Sequence, residues 1–267
     1  MPSEASRKIA LRKIGLARAL SKLGYRSRSQ AAELIRAGRV HLNGTVRRDP
    51  ETPVHLESDA IMVDGCEIEP GRKIYLMMNK PRGIVTSASD EKGRDTVYSI
   101  LKNSPEPLPW VAPVGRLDKA SEGLLLLTND SEWGAQIAAP ETHLEKTYHV
   151  QIAALAGDDI LHALVHGIET EDGDLLRATR ANVLRSGEKN CWLAVVLIEG
   201  RNRQIRRMME ALQVEVLRLM RVAIGPLVLG KLAKGELRPL SVDEKRALDR
   251  AMHRKTKSVP SKAGSRG

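Results

Sequence analysis

The sequence predicts an α+β fold, a mixed sheet with flanking helices preceded by a small unit of two helices and a hairpin. Three observations point there. Segments of strand length, apolar or alternating, recur at Leu124–Thr128, Tyr148–Ile152 and Trp192–Ile198. Strands and helices mix without a regular βαβ period, which argues against a doubly wound sheet. Near the N-terminus, helical spacing gives way to alternation around Asn43-Gly44, a hairpin signal. The chain has 267 residues, 42% of them hydrophobic, enough for one large domain and a small one. With 3% aromatics and no Phe, the core must come from Leu, Ile, Val, Ala and Met.

Residues 1–13 read as a basic extension. Leu16, Ala19, Leu20 and Leu23 fall at helical spacing, and Gly24 supplies a stop. Ser27-Arg28-Ser29-Gln30 is a capping-box pattern, in which the outer two side chains satisfy each other's backbone N–H groups. Ala31, Ala32, Leu34 and Ile35 continue as a second helix closed by Gly38. The hairpin over Val40–Val46 follows, so the first domain spans 14–73, with a turn-rich join near Glu69-Pro70-Gly71. The body spans 74–242. Ile74–Asn79 predicts a strand, broken at Lys80-Pro81-Arg82-Gly83, and 86–110 a loop with a short helix around Val97–Leu101. Leu124–Thr128 reads as a central buried strand, Ile205–Leu212 as a helix and Val214–Leu219 as a strand. From Gly225-Pro226 to Pro239 the chain is turn-rich. Residues 243–267 read as a basic, partly disordered tail, chiefly beyond Ser258.

The formal net charge of +10 is concentrated at the two ends. Residues 1–74 carry 14 Lys/Arg against 9 Asp/Glu, residues 244–267 carry 8 against 2, and the body between them 21 against 22. Within Arg7–Arg48, 12 basic side chains face only Glu33. Such a stretch suits a polyanion, because each Lys or Arg that meets a phosphate releases condensed counterions; a solubilising face is the plainer reading. Arg26, Arg28, Arg36 and Arg39 cluster around the second helix and its ends. Cys66 and Cys191, far apart and alone, form neither a disulfide framework nor a zinc signature and are expected to be inert. The start lacks an apolar signal core, and the longest apolar runs are too short to span a bilayer. A cytoplasmic protein with no membrane partner is therefore expected.

Two constellations carry possible chemistry. Asp118 lies in Gly115-Arg116-Leu117-Asp118, a Gly-bounded loop beside the buried strand. Residue types alone leave it either a nucleophile at a pocket edge or a loop carboxylate satisfying local amides. His162 and His166 would share a helix face, as two zinc ligands do. Position 163 is Ala where a zinc protease needs its general-base Glu, and no third ligand is evident, so no metal site is expected.

Two resemblances reweight these readings. Leu16–Val63, above all Ser29–Val40, resembles the small RNA-binding domain first described in ribosomal protein S-four. It implies contact with structured RNA through the basic helix and loop, with Arg26, Arg28, Arg36 and Arg39 as contacts. The run from Gly115 to Asp130, Gly-Arg-Leu-Asp-x4-Gly-Leu-x-Leu-x-Thr-x-Asp, resembles the central motif of pseudouridine synthases, more narrowly the RsuA/RluB/RluE/RluF group that acts on ribosomal RNA. Glu145-Lys146-Thr147-Tyr148 and Glu199–Met208 resemble that family's second and third motifs, in the same order. The resemblance covers roughly residues 14–242.

It implies a mixed, largely antiparallel sheet and the isomerisation of a uridine in ribosomal RNA, large-subunit RNA first and small-subunit RNA second. Asp118 would attack C1′ or abstract the 2′ proton, and the sequence does not choose. Arg206 would keep that carboxylate charged. Tyr148 would stack on the detached uracil and help remove the C5 proton, Ile205 would pack against the base, and Arg116 would hold RNA near the flipped nucleotide. Arg201, Arg203 and Arg207 are assigned phosphate or structural roles. An isomerisation changes no oxidation state, so no cofactor and no metal are expected. The expected partner is ribosomal RNA or a pre-ribosomal particle, met by a monomer. Two other classes are a non-catalytic RNA-binding ribosome-assembly protein and a hydrolase of nucleoside bonds, the latter releasing free uracil.

Overall fold

A computed structural model of the chain describes residues 13–69, 71–87, 93–104 and 107–253. The chain falls into two compact units. One holds the N-terminal residues through Tyr75 together with Leu101–Ala112 and Leu127–Ser131; the other holds Leu76–Ile100, Pro113–Leu126 and the chain from Glu132 onward.

In the first unit, α1 (Leu16–Lys22) and α2 (Arg28–Arg36) pack beside a four-stranded antiparallel sheet. Its strands β1 (Val40–Leu42), β2 (Thr45–Arg47), β3 (Ile61–Val63) and β4 (Cys66–Glu67) lie in the order β2-β1-β3-β4. The capping box of α2 forms as its sequence predicts. Ser27 Oγ accepts from the Gln30 N–H at 3.2 Å, and Gln30 Oε1 accepts from the Ser27 N–H at 3.3 Å. The hairpin turns on Asn43 and Gly44 with φ of 52° and 77°, the left-handed pair that lets two strands close on two residues. Leu16, Leu20, Ala31, Ile35, Val40, Val54, Ile61 and Val63 fill the core.

The second unit is built on a mixed, largely antiparallel sheet with flanking helices. Its main strands are β5 (Tyr75–Lys80), β6 (Glu122–Thr128), β7 (Lys146–Ile152), β8 (Arg180–Ser186), β9 (Cys191–Leu197), β10 (Val216–Ile224) and β11 (Leu237–Pro239), in the order β8-β9-β7-β10-β6-β5-β11. β6 and β10 run parallel, whereas β8–β9, β9–β7, β7–β10 and β5–β11 are antiparallel. The helices are α3 (Val97–Lys102), α4 (Ser131–Ala138), α5 (Asp158–His166), α6 (Gln204–Ala211) and α7 (Val242–Met252). α6 buries Ile205, Met208 and Met209 on one face, and these meet Val150, Leu193, Val195 and Leu219 of the sheet in a Phe-free core.

Three features differ from the sequence-based expectations. The chain is helical over Val242–Met252, from the last residue of the expected body into the segment expected as a tail, with Ser241 and Glu244 forming a capping box and Leu248 and Met252 buried. β10 runs over Val216–Ile224 where Val214–Leu219 was expected, its far end hidden in the sequence because Arg218 and Arg221 interrupt the apolar pattern. β8 has the sequence Arg-Ala-Asn-Val-Leu-Arg-Ser, mostly exposed, and an edge strand of that kind carries little hydrophobic signal. The expected disorder beyond Ser258 falls outside the described residues. Among the described residues, no helix is long and apolar enough to cross a membrane. Cys66 is exposed and Cys191 buried, its Sγ accepting from the Ala156 N–H.

Candidate active site

The parallel contact of β6 with β10 is what brings the predicted residues together. Met220 pairs with Glu122 and Arg221 with Gly123. A Cβ on Gly123 would lie 2.3 Å from the Arg221 carbonyl oxygen, and its φ is +104°, so only glycine permits this approach. The loop carrying Asp118 leads directly into β6 and is fixed through its backbone. The Ser121 N–H donates to the Asp118 carbonyl at 3.0 Å. Thr86 Oγ1 donates to the Leu117 carbonyl at 2.8 Å and accepts from the Leu117 N–H at 3.3 Å.

Beneath the loop lies Lys80, fully buried at the end of β5. Its Nζ donates to the carbonyls of Pro81 (3.1 Å), Asp118 (3.2 Å) and Ser121 (2.9 Å). Burial lowers its pKa from 10.5 to about 8, against the opposing pull of Asp118 and Glu122. Glu122, the first residue of β6, is also buried, held by Arg218 at 2.6 Å and Lys234 at 2.8 Å. Burial pushes this carboxyl upward, but the two cations outweigh it and hold it below its usual range. The Arg218 guanidinium also lies 5.4 Å from the ring centre of Trp192, which Arg185 approaches at 5.2 Å.

Above this platform opens a cleft of about 340 Å³, lined by Arg116, Asp118, Tyr148, Ile205 and the loop Gly200–Arg203 among others. Asp118 is the only carboxylate among its lining residues. Tyr148 projects from β7 opposite Arg221 of β10, and Ile205 enters from the first turn of α6. Arg206 stands behind the loop: its Nη2 donates to the Ala120 carbonyl at 3.1 Å, and its Nε is buried without a partner. Burial, with Arg203 and Arg82 nearby, holds its pKa below the ordinary value, against the pull of Asp118. Arg206 and Asp118 are thus neighbours by charge, although no ion pair within 4.0 Å joins them. Gln204 braces the loop by accepting from the Arg201 N–H and donating to the Arg177 carbonyl and Glu199.

The comparisons with known proteins bear on this geometry. Residues 74–211 match the family described as RNA pseudouridylate synthase, and residues 14–61 match the S4 domain. An uncharacterized RNA pseudouridine synthase of Aquifex aeolicus is 38% identical over 234 residues, covering 87% of this chain and 92% of its own length. Ribosomal large subunit pseudouridine synthase B of Bacillus subtilis is 36% identical over 235 residues, covering 87% and 94%. The chain belongs to the RNA pseudouridine synthase family. A crystal structure of a pseudouridylate synthase superimposes with a TM-score of 0.61 at 32% identity, covering 88% of this chain and 99% of that one.

The remaining predicted residues of the synthase divide by what they touch. Arg207 is committed to Asp172 and Asp174, and Arg201 to Glu199 and Asp174, so both brace the protein, whereas Arg203 lies exposed on the cleft wall. In the S4 domain, Arg26 and Arg39 line a shallow cleft with Tyr25, Gln30 and Leu34. Arg39 is held in a bidentate pair by Asp64, and Arg28 meets Glu51 at 3.5 Å in an exposed pair. Arg36 is exposed and makes no ion pair among the described residues. His162 and His166 stack on α5 with ring centres 3.6 Å apart. Among the described residues, no group of three or more His, Cys, Asp or Glu is placed to hold a metal. Three cations that sit at the site were not marked by the sequence: Lys80 under the Asp118 loop, and Lys146 and Arg221, which line the cleft. The available signals were a cation closing an apolar strand, at Lys80, and Lys146 two residues before Tyr148, which period-2 geometry puts on the same face.

Proposed function

We propose that the synthase converts a specific uridine of ribosomal RNA to pseudouridine, with Asp118 as the reacting carboxylate. Large-subunit RNA is the first choice and small-subunit RNA the second. The observation carrying the reading is that Asp118 is the only carboxylate lining a cleft that also holds Tyr148 and Ile205. The choice of large-subunit RNA is supported by the 36% identical relative that bears that substrate in its name.

Breaking the C1′–N1 bond sends its electron pair to N1. In one route the Asp118 carboxylate bonds to C1′; in the other it takes the C2′ proton as a C1′–C2′ double bond forms. The freed uracil turns against Tyr148 and Ile205, and C5 bonds to C1′. In the first route this displaces the Asp118 carboxylate from C1′; in the second Asp118 returns its proton to C2′. The C5 proton then leaves, and N1 regains a proton. Atoms and electrons balance without oxidant, reductant or co-substrate, so the chemistry calls for no cofactor. Arg206 braces the Asp118 loop through the Ala120 carbonyl, while Arg116 and Arg203 at the rim suit the phosphates of a flipped nucleotide. The protein acts as a monomer in the cytoplasm on ribosomal RNA or a pre-ribosomal particle.

Release of tritium from ribosomal RNA carrying 5-tritiated uridine tests this directly. Wild-type protein is expected to release it, and Asp118→Asn to release none while still binding the RNA. An active Asn variant would remove Asp118 from the mechanism.

A further inference from the structure

The cleft floor holds two buried cations that no carboxylate neutralises. Lys146 is 8% exposed and Arg221 6% exposed, and both line the cleft. Lys146 Nζ donates to one carbonyl, that of Ile198, at 3.1 Å. Arg221 donates from Nε to the Leu124 carbonyl at 2.8 Å, while its Nη2 is buried without any partner. Neither makes an ion pair among the described residues. Lys146 precedes Tyr148 by two positions on β7, and Arg221 faces Tyr148 across the β7–β10 pair, so all three side chains rise from one face of the sheet.

An unpartnered buried guanidinium donor costs on the order of 1–3 kcal/mol and more when charged. Its retention beside a second buried cation implies an acceptor that arrives with the substrate. At the rim, the exposed Arg116 and Arg203 suit the phosphates. What enters below the rim, against Tyr148, is the base. Uracil has two carbonyl oxygens, and once the C1′–N1 bond breaks they share the negative charge left on N1.

We propose that Lys146 and Arg221 are catalytic residues that donate hydrogen bonds to the uracil carbonyl oxygens and stabilise the detached, anionic base. Fixed donors in a water-poor site act most strongly on charge that develops during the reaction. Burial, with Arg221 beside it, lowers the Lys146 pKa from 10.5 to about 8, as expected of a cation whose counter-charge is not yet present. The proposal rests on the reading of this cleft as the place of uridine isomerisation.

The test uses full-length protein and ribosomal RNA transcripts carrying 5-tritiated uridine, with single-turnover rate and RNA affinity measured separately. Lys146→Gln and Arg221→Gln are each expected to slow the chemical step by about 100-fold with RNA affinity unchanged, and Lys146→Arg to recover part of the rate. Unchanged chemistry with weaker binding and a salt slope reduced by about 1 would make them phosphate contacts and overturn the proposal. Undiminished turnover in both Gln variants would overturn it as well. A wild-type protein silent on all ribosomal RNA would instead sink the substrate assignment.

Should a variant fail to fold, wild-type protein with 2-thiouridine or 4-thiouridine at the target answers the same question. Sulfur is a poorer acceptor, so about a tenfold loss at one or both positions is expected. Equal rates for both analogues and for uridine would refute base recognition by these donors.

Discussion

Lys80 donates to three backbone carbonyls, two of them in the loop that carries Asp118. Replacing it with Met takes this donor from the Pro81 and Ser121 carbonyls, while the Asp118 carbonyl keeps the Ser121 N–H; the cost is about 1–3 kcal/mol for each acceptor left buried and unpaired. Lys80→Met is therefore expected to lower stability in urea unfolding by about 3 kcal/mol, and to slow turnover further because the Asp118 backbone loses its anchor. Its titration gives a second signature. With the folded pKa near 8 and the ordinary value 10.5, the unfolded chain binds more protons than the folded one between those limits. Stability should thus rise with pH across that window. Lys146 adds a rise of the same sign, so Lys80→Met should flatten the rise without abolishing it; an unaltered slope would show that Lys80 is not its source. At this scale the motifs pointed to Asp118, Tyr148 and Arg206, and the structure puts the first two on one cleft wall and the third behind the Asp118 loop. Lys80 and Arg221 gave no such signal, because the carbonyls they hold are brought near only by the sheet order.

β6 is held from both ends of its chemistry: Gly123 admits the β10 backbone, and Glu122 gathers Arg218 from β10 and Lys234 from the segment before β11. Glu122→Gln removes the charge and keeps the size. Because Arg218 and Lys234 remain partly exposed, the expected loss is about 1–2 kcal/mol, below the figure for a fully buried pair. The carboxyl is held below its usual value of 4.5, so its contribution is present above that pH and disappears as pH falls through the lowered value. Acid unfolding of the Gln variant should accordingly show a shallower transition than wild type below pH 4.5; coincident acid curves would exclude Glu122 as a contributor. The elements legible in advance were those with one buried face, such as α2 with its capping box and the strands through Leu124–Thr128 and Trp192–Ile198. β8 and the C-terminal helix escaped because their polar content resembles loop and tail, although the Ser241–Glu244 box of α7 was there to be read.

For the whole molecule, the sequence separated an RNA-binding unit from a catalytic one by charge, and the two family matches fall on either side of that division. The overall sheet order was not legible, since the pairing of β6 with β10 joins residues about a hundred positions apart. The division of labour can be tested in the intact protein. Arg26→Ala and Arg36→Ala are expected to weaken RNA binding and each to reduce the slope of log affinity against log salt by about 1, with single-turnover chemistry unchanged. A lowered chemical rate at saturating RNA would contradict that separation. Arg39, already gripped by Asp64, should contribute less than either. The arginine pair around Trp192 has a different use. The chain has only three tryptophans, and this one is touched by Arg218, which also holds Glu122 at the foot of the Asp118 loop. Any movement of that loop which draws Arg218 away alters the electrostatic field on the indole, so the protein carries its own optical gauge of the active site, readable by fluorescence without an added dye.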